Sequence, residues 1–244
     1  MKDRSRDLII NGSGSSGGGV FNKVKISGSG KVSGDVECLE FRCSGSGSVI
    51  GNVKTGYMNV SGSGDVDGNL VAEELKVSGS FRVDGDTFVK EASVSGHMKV
   101  DGKLTAEEMT VNGALEVKDD CSAEEFVVKG GFRISGLLNA GKVDIQLHGD
   151  AFVKEIGCDQ IEVRRNLLGG ISVLKMIKTL FQSFHNELHA DVIEGDDIAL
   201  EYTKAKVVRG TNVIIGPGCK IDLVEYKGRY EQHDDAEVEL SRMV

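Results

Sequence analysis

Three groups of residues have types and spacing that chemistry can use. Gly12, Gly14 and Gly17 satisfy G-x-G-x-x-G directly after the apolar Leu8, Ile9 and Ile10, the phrase that cradles a dinucleotide pyrophosphate. That site needs a helix to open after the glycines so that its first N–H groups meet the phosphate. Here another glycine run and another strand-like phrase follow, so nucleotide binding is not expected. His185 and His189 stand four apart with Glu187 between them, which on a helix puts both imidazoles on one face, a zinc-ligating spacing. The zincin order is H-E-x-x-H, which this segment does not follow, and neither His97 nor His148 supplies a third ligand; surface histidines, no metal and no cofactor are expected. Glu40, Glu74, Glu91, Glu108 and Glu125 recur in one register. Paired acids can perform acid–base work or hold calcium, but a carboxylate on nearly every repeat reads as a solvated edge, because an active site marks one or two repeats.

The five cysteines, Cys38, Cys43, Cys121, Cys158 and Cys219, are odd in number and lack C-x-x-C spacing, so reduced thiols are expected rather than disulfides or structural zinc. The chain of 244 residues has 33 Gly, 1 Pro and no Trp, yet is 39% hydrophobic, so something ordered must use the glycines. Its net charge of −9 excludes a general nucleic-acid binder. No apolar run approaches the length of a membrane span, and the first residues lack the pattern of a signal peptide; a cytoplasmic location is expected.

What positions these residues is a repeat. Gly28, Gly45, Gly62, Gly79, Gly96, Gly113 and Gly130 are spaced 17 apart, and a second series, Gly34, Gly51, Gly68, Gly85, Gly102 and Gly136, keeps the same frame with Asp119 the exception. Apolar columns accompany them, such as Val32, Val49, Val66, Val83, Val100, Val117 and Ile134. Within a unit the apolar positions come in pairs two apart, the strand period, giving three short strands per unit with glycine corners, explained here by its freedom at positive φ. No such unit buries its apolar face alone, but stacking does so. The fold expected is all-β, a triangular parallel β-helix of single coils of about 17 residues, with one short amphipathic helix. In this frame Cys38, Cys43, Cys121 and, aligned with Val94, Cys158 point inward; Cys219 has no clear place.

Leu8, Ile10, Gly12 and Gly14 echo Val24, Ile26, Gly28 and Gly30, so the first coil begins near Leu8. The phrase GDAFVKEI at 149–156 echoes GDTFVKEA at 85–92, four residues short of a whole number of repeats, which predicts a shortened coil at 137–148. From Ala190 to Ile215 the pattern returns at a step of 15. The organisation expected is a flexible tail (1–7), a main β-helix stack (8–163), a non-repeating basic insertion (164–187), closing coils (188–226) and a flexible charged tail (227–244).

The glycine-punctuated repeat, the opening LIINGSGSSGG and the closing IEGDDIALEYTKAKVVRGTNVIIGPGCKIDLVEY resemble the bactofilin family of polymer-forming bacterial cytoskeletal proteins, in particular its longer Bacillus-type members. The resemblance implies a right-handed β-helix whose subunits join end to end into nonpolar filaments without nucleotide, often at the membrane, as scaffolds for cell shape, polarity or motility. The partners it implies are other copies of the chain or a paralogous bactofilin. Exposed strand edges at the stack ends support self-assembly, with Leu8 and Ile10 at one end and Val213, Ile215, Ile221 and Leu223 at the other as candidate contacts. Two rivals stand beside it. One is a β-helix enzyme acting on polysaccharide or acyl substrates, for which Asp144 and His148 are the only actors near the repeat break; the other is a non-polymerising scaffold using Arg82, Lys99 and Arg133.

Within 164–187, Val173, Ile177, Leu180, Phe181 and Phe184 share one helical face, Lys175 and Lys178 lie opposite, Ser172 can cap the helix and Gly169-Gly170 supply a hinge. A basic amphipathic helix of this kind fits either an anionic bilayer, the inner face of the cell membrane, or an apolar protein surface.

Overall fold

The computed structural model describes residues 6–165 and 186–244. Among them all twenty-two strands belong to one sheet that winds through about 13 coils, each strand lying parallel to its counterpart in the next coil: an all-β parallel β-solenoid. No helix is present among the described residues; the amphipathic segment expected at 173–184 lies outside them.

Three columns of strands make three faces. The first carries Val32, Val49, Val66, Val83, Val100, Val117 and Ile134 inward in adjacent coils. The second carries Val36, Val53, Leu70, Thr87, Leu104, Cys121 and Leu138. The third carries Val24, Phe41, Met58, Leu75, Ala92, Met109, Phe126 and Val143. All of these are buried, and each large aliphatic one contributes roughly 1.5–3 kcal/mol relative to exposure. Alternation along each strand sends the intervening polar residues to solvent, so the seventeen-residue pattern reads out directly as an apolar prism core.

The glycines serve a purpose different from the one expected. None of the series Gly28 to Gly130 has a left-handed φ. Instead, a Cβ on Gly45, Gly62, Gly79, Gly96, Gly113 or Gly130 would lie 2.0–2.1 Å from the carbonyl oxygen of the equivalent glycine one coil earlier. Glycine is required because the corners stack Cα against carbonyl, a close Cα–H···O approach. Only Gly34 and Gly51 of the second series use positive φ, at 111° and 144°. Beside that second corner runs a ladder the sequence reading did not single out. The side-chain oxygen of Asp35 accepts the backbone N–H of Asn52, Asn52 that of Asn69, Asn69 that of Asp86, and Asp86 that of Lys103, at 2.8–2.9 Å. Each coil's corner donor is thus satisfied by the coil before it.

Three expectations are corrected. The coil around 137–148 is not short by four residues: Phe132 pairs with Ala151 and Ile145 with Val163, steps of 19 and 18, with a register shift between Ile134 and Leu137. The phrase at 149–156 therefore begins on the first face, at Ala151–Val153, whereas its look-alike at 85–92 begins on the second, at Thr87–Val89. Cys158 consequently pairs with Ala140 rather than taking the register of Val94, and is only half-buried. Finally, 227–244 is not a loose tail but one more coil, with Tyr230–Gln232 paired to Val213–Ile215 and Glu237–Met243 to Lys220–Tyr226. Two registers hold as read: Leu8 pairs with Val24, and Leu188–Leu200 pairs with Thr203–Ile215 at a step of 15.

Candidate functional site

Gly12, Gly14 and Gly17 lie in and beside the strand Ser13–Val20, which continues the solenoid without a helix. The carboxylate column forms as read, with Glu40, Tyr57, Glu74, Glu91, Glu108, Glu125 and Lys142 in successive coils. Cations bridge it: Lys23 to Glu40 at 3.0 Å, Lys76 to Glu74 at 2.6 Å and Lys142 to Glu125 at 3.6 Å. Lys23 and Arg42 hydrogen-bond the Glu40 carboxylate and hold it below the usual range. This is a solvated edge in which Lys23–Glu40 and Lys142–Glu125 link adjacent coils and Lys76–Glu74 lies within one strand, each exposed pair worth about 0–1 kcal/mol.

The other candidates disperse. His189 stacks on Phe152 at 4.9 Å, with Arg133 on the ring's other side at 4.2 Å, while His185 lies outside the described residues. Asp144 accepts both hydrogen bonds of a bidentate contact from Arg164 at 2.8 Å, and His148 contacts the Gln146 carbonyl. Arg82 bridges Asp84 and Asp101, and Lys99 pairs with Glu116. Among the described residues no three His, Cys, Asp or Glu side chains converge as a metal site. Burial pushes the Cys121 and Cys158 thiols up to about 12 and Cys219 to about 11; Cys219 takes an inward place on the first face, fully buried. On the second face, Leu39, Val71 and Phe88 form a partly exposed apolar patch.

What the geometry leaves chemically incomplete is the two ends. At one, among the described residues, Leu8–Ile10 pairs only with Lys23–Ile26, and Ser13–Val20 only with Ser29–Cys43. Leu8 is half-covered and Ile10 nearly buried. At the other end, Tyr230–Gln232 and Glu237–Met243 each pair on one side only. Val213, Ile215 and Ile221 are therefore not the end surface: the last coil covers them, and Leu223 lies beside Leu240. The surface offered is instead Tyr230, Val238, Leu240 and Met243, the last two strongly exposed. Each open strand edge presents backbone N–H and C=O groups that a further strand can pair.

The last coil is fastened from below. Glu225 accepts hydrogen bonds from Arg209 and Arg242, which hold its carboxyl below the usual range. Tyr226 and Tyr230 stack at 5.0 Å, and Lys220 bridges to Glu237 at 2.9 Å. At the corner that carries the insertion, Arg165 lies over the Tyr202 ring at 4.4 Å and donates its backbone N–H to Glu201.

No family model matches the chain, and no solved structure matches it. A curated relative, named as the uncharacterized protein YhbE of Bacillus subtilis strain 168, is 62% identical over 235 residues, which is 96% of this chain and 96% of that protein. The uncharacterized protein YhbF of the same organism is 43% identical over 97 residues, 39% of this chain and 37% of its own. With identity that high across nearly the whole length of both chains, this protein belongs to the YhbE family.

Proposed function

We propose that this chain is a structural scaffold that assembles end to end into filaments without nucleotide, as its resemblance to the bactofilins implies. The observation that carries the reading is the pair of open ends: among the described residues, every internal strand is paired on both sides, while the first and last strands are paired on one side only. Electron microscopy of the purified protein, with neither nucleotide nor metal added, tests it. Filaments are expected, and discrete particles at high concentration across a range of salt overturn it.

Membrane contact belongs to the same proposal. It is assigned to the basic segment bearing Val173, Ile177, Leu180, Phe181 and Phe184 with Lys175 and Lys178, whose sequence carries the apolar face and the cations an anionic bilayer selects. In this reading the filament lies beneath a membrane, and the scaffold acts through other copies of itself or a related chain rather than through catalysis.

A further inference from the structure

We propose that two copies of this chain lie side by side with their axes antiparallel, second face against second face, across the groove that carries Leu39, Val71 and Phe88. The inference goes beyond the end-to-end reading and does not depend on it.

The groove lies at the corner between the second and third faces. In the corner column Leu39 is followed one coil later by Gly56, whose missing side chain leaves a gap, and a groove of about 400 Å3 opens beside it. Its walls are apolar and wet: Leu39 is 48% exposed, Val71 41% and Phe88 47%. Val71 and Phe88 sit directly over one another on adjacent coils, so they form one continuous surface. Phe88 is the one exposed phenylalanine among the described residues. An aromatic ring standing in water on a flat strand face gains by being covered, and a contiguous patch of this kind marks an interaction surface.

Charge identifies what covers it. Outward on the second face, successive coils present Lys54, Val71, Phe88 and Thr105. The corner column beside them presents Gly56, Glu73, Lys90 and Glu107. Lys54, Glu73, Lys90 and Glu107 are exposed and make no ion pair among the described residues. The patch is thus rimmed by two free cations and two free acids in alternation along the rod, a pattern complementary to its own reverse.

A twofold axis lying along the strand direction reverses the order of the coils but sets each column against itself. With the axis midway between the coil of Val71 and that of Phe88, Phe88 meets the partner's Val71 and Lys90 meets the partner's Glu73. Glu107 then falls into the gap over the partner's Gly56, beside the partner's Lys54. Symmetry makes each contact twice. Moving the axis by half a coil either way sets Glu73 on Glu73 or Lys90 on Lys90, and like charges face to face are penalised. One register therefore covers the apolar patch and pairs all four charges. The contact spans four coils, about 20 Å of the rod, a small interface for which a covalent trap is the suitable assay.

Unlabelled and 15N-labelled full-length chains, mixed and treated with a zero-length carbodiimide, test the joint. Mass spectrometry is expected to find a Lys90–Glu73 link with one peptide from each isotope, which separates contact between copies from contact within one. Phe88→Ser with Val71→Ser keeps both reacting side chains and alters only exposed positions, so circular dichroism is expected to match wild type while the mixed-isotope link falls at least tenfold. The exchange Lys90→Glu with Glu73→Lys is expected to keep the link, because only in this register does position 90 face position 73. Absence of the mixed-isotope link in wild type, its persistence in the serine variant, or its loss in the exchanged variant overturns the joint. Electron microscopy of the same samples keeps the two readings apart: filaments without the link overturn the side-by-side contact alone, and the link without filaments overturns the end-to-end reading alone.

Discussion

Gly79→Ala probes the corner stacking at the middle of the prism. The added Cβ would lie 2.0 Å from the Gly62 carbonyl oxygen, 2.6 Å from that of Ser61 and 2.8 Å from the Ser61 carbonyl carbon, all backbone atoms that no rotamer change can move. Restoring ordinary contact requires the two coils to part by about 1 Å at this corner, since they sit only about 4.8 Å apart. That displacement is opposed by the ladder on both sides of the glycine, where Ser78 N–H reaches the Val60 carbonyl at 2.9 Å and Ser80 N–H the Gly62 carbonyl at 2.9 Å. Weakening those two bonds costs about 1 kcal/mol each, and overpacking adds roughly 1–3 kcal/mol. A loss of about 3–5 kcal/mol is expected, large against the 5–15 kcal/mol typical of folded domains. Gly12→Ala is the control, because nothing lies within 4 Å of its added carbon. Urea unfolding followed by circular dichroism compares the two. A Gly79→Ala midpoint indistinguishable from wild type, or an equal loss in Gly12→Ala, would refute the stacking argument.

Val83 is fully buried, so Val83→Asp should cost several kcal/mol, whereas Glu91→Lys on the exposed edge should stay within about 0.5 kcal/mol; thermal melts in the reverse order would show the inward face to be misassigned. The Thr87 hydroxyl is buried without a hydrogen-bond partner, so Thr87→Val should raise stability by about 1 kcal/mol, and a lower melting temperature would contradict this. Glu225 has its carboxyl depressed by the two arginines, so its stabilising contribution is complete above the ordinary carboxylate range and disappears as pH falls through the depressed value. Hydrogen exchange should therefore show the last coil, 228–244, opening selectively in acid, and Glu225→Gln should remove that pH dependence; an unchanged acid profile in the variant argues against it. Wild-type protein should co-sediment with anionic liposomes, and Phe181→Asp with Phe184→Asp should abolish this; retained binding in the variant, or none in wild type, rejects the membrane role.

The regular part of the prism was legible because burial and register are both written at a fixed step. The column from Val32 to Ile134 needed only counting, and the closing step of 15 was equally plain. Where two faces impose the same in-out-in alternation after a Gly-Asp corner, the local phrase cannot report which face it occupies. Thr87-Phe88-Val89 and Ala151-Phe152-Val153 look alike and lie on different sides. The last coil was missed because water on its open side lets Gln232 and Ser241 stand where an interior coil has apolar residues. A signal was present nonetheless: Ile221 and Leu223 recur as Val238 and Leu240 at the 17-residue step. The reason for glycine was not legible at all, since a missing side chain looks the same whether it frees φ or admits a neighbouring carbonyl.

The unbroken step of 17 from Phe41 through Val143 makes the rod's length separable from its fold. Each coil meets only the coil before and after it, so copying or deleting one whole repeat leaves every remaining contact of the same kind. Such a change lengthens or shortens the prism by one spacing of about 4.8 Å. A loss of one residue, by contrast, turns every following side chain to the opposite side of its strand. Genetic change in this part of the chain is thus quantised: it can adjust the molecule as a ruler, in whole graduations, without renegotiating its interior.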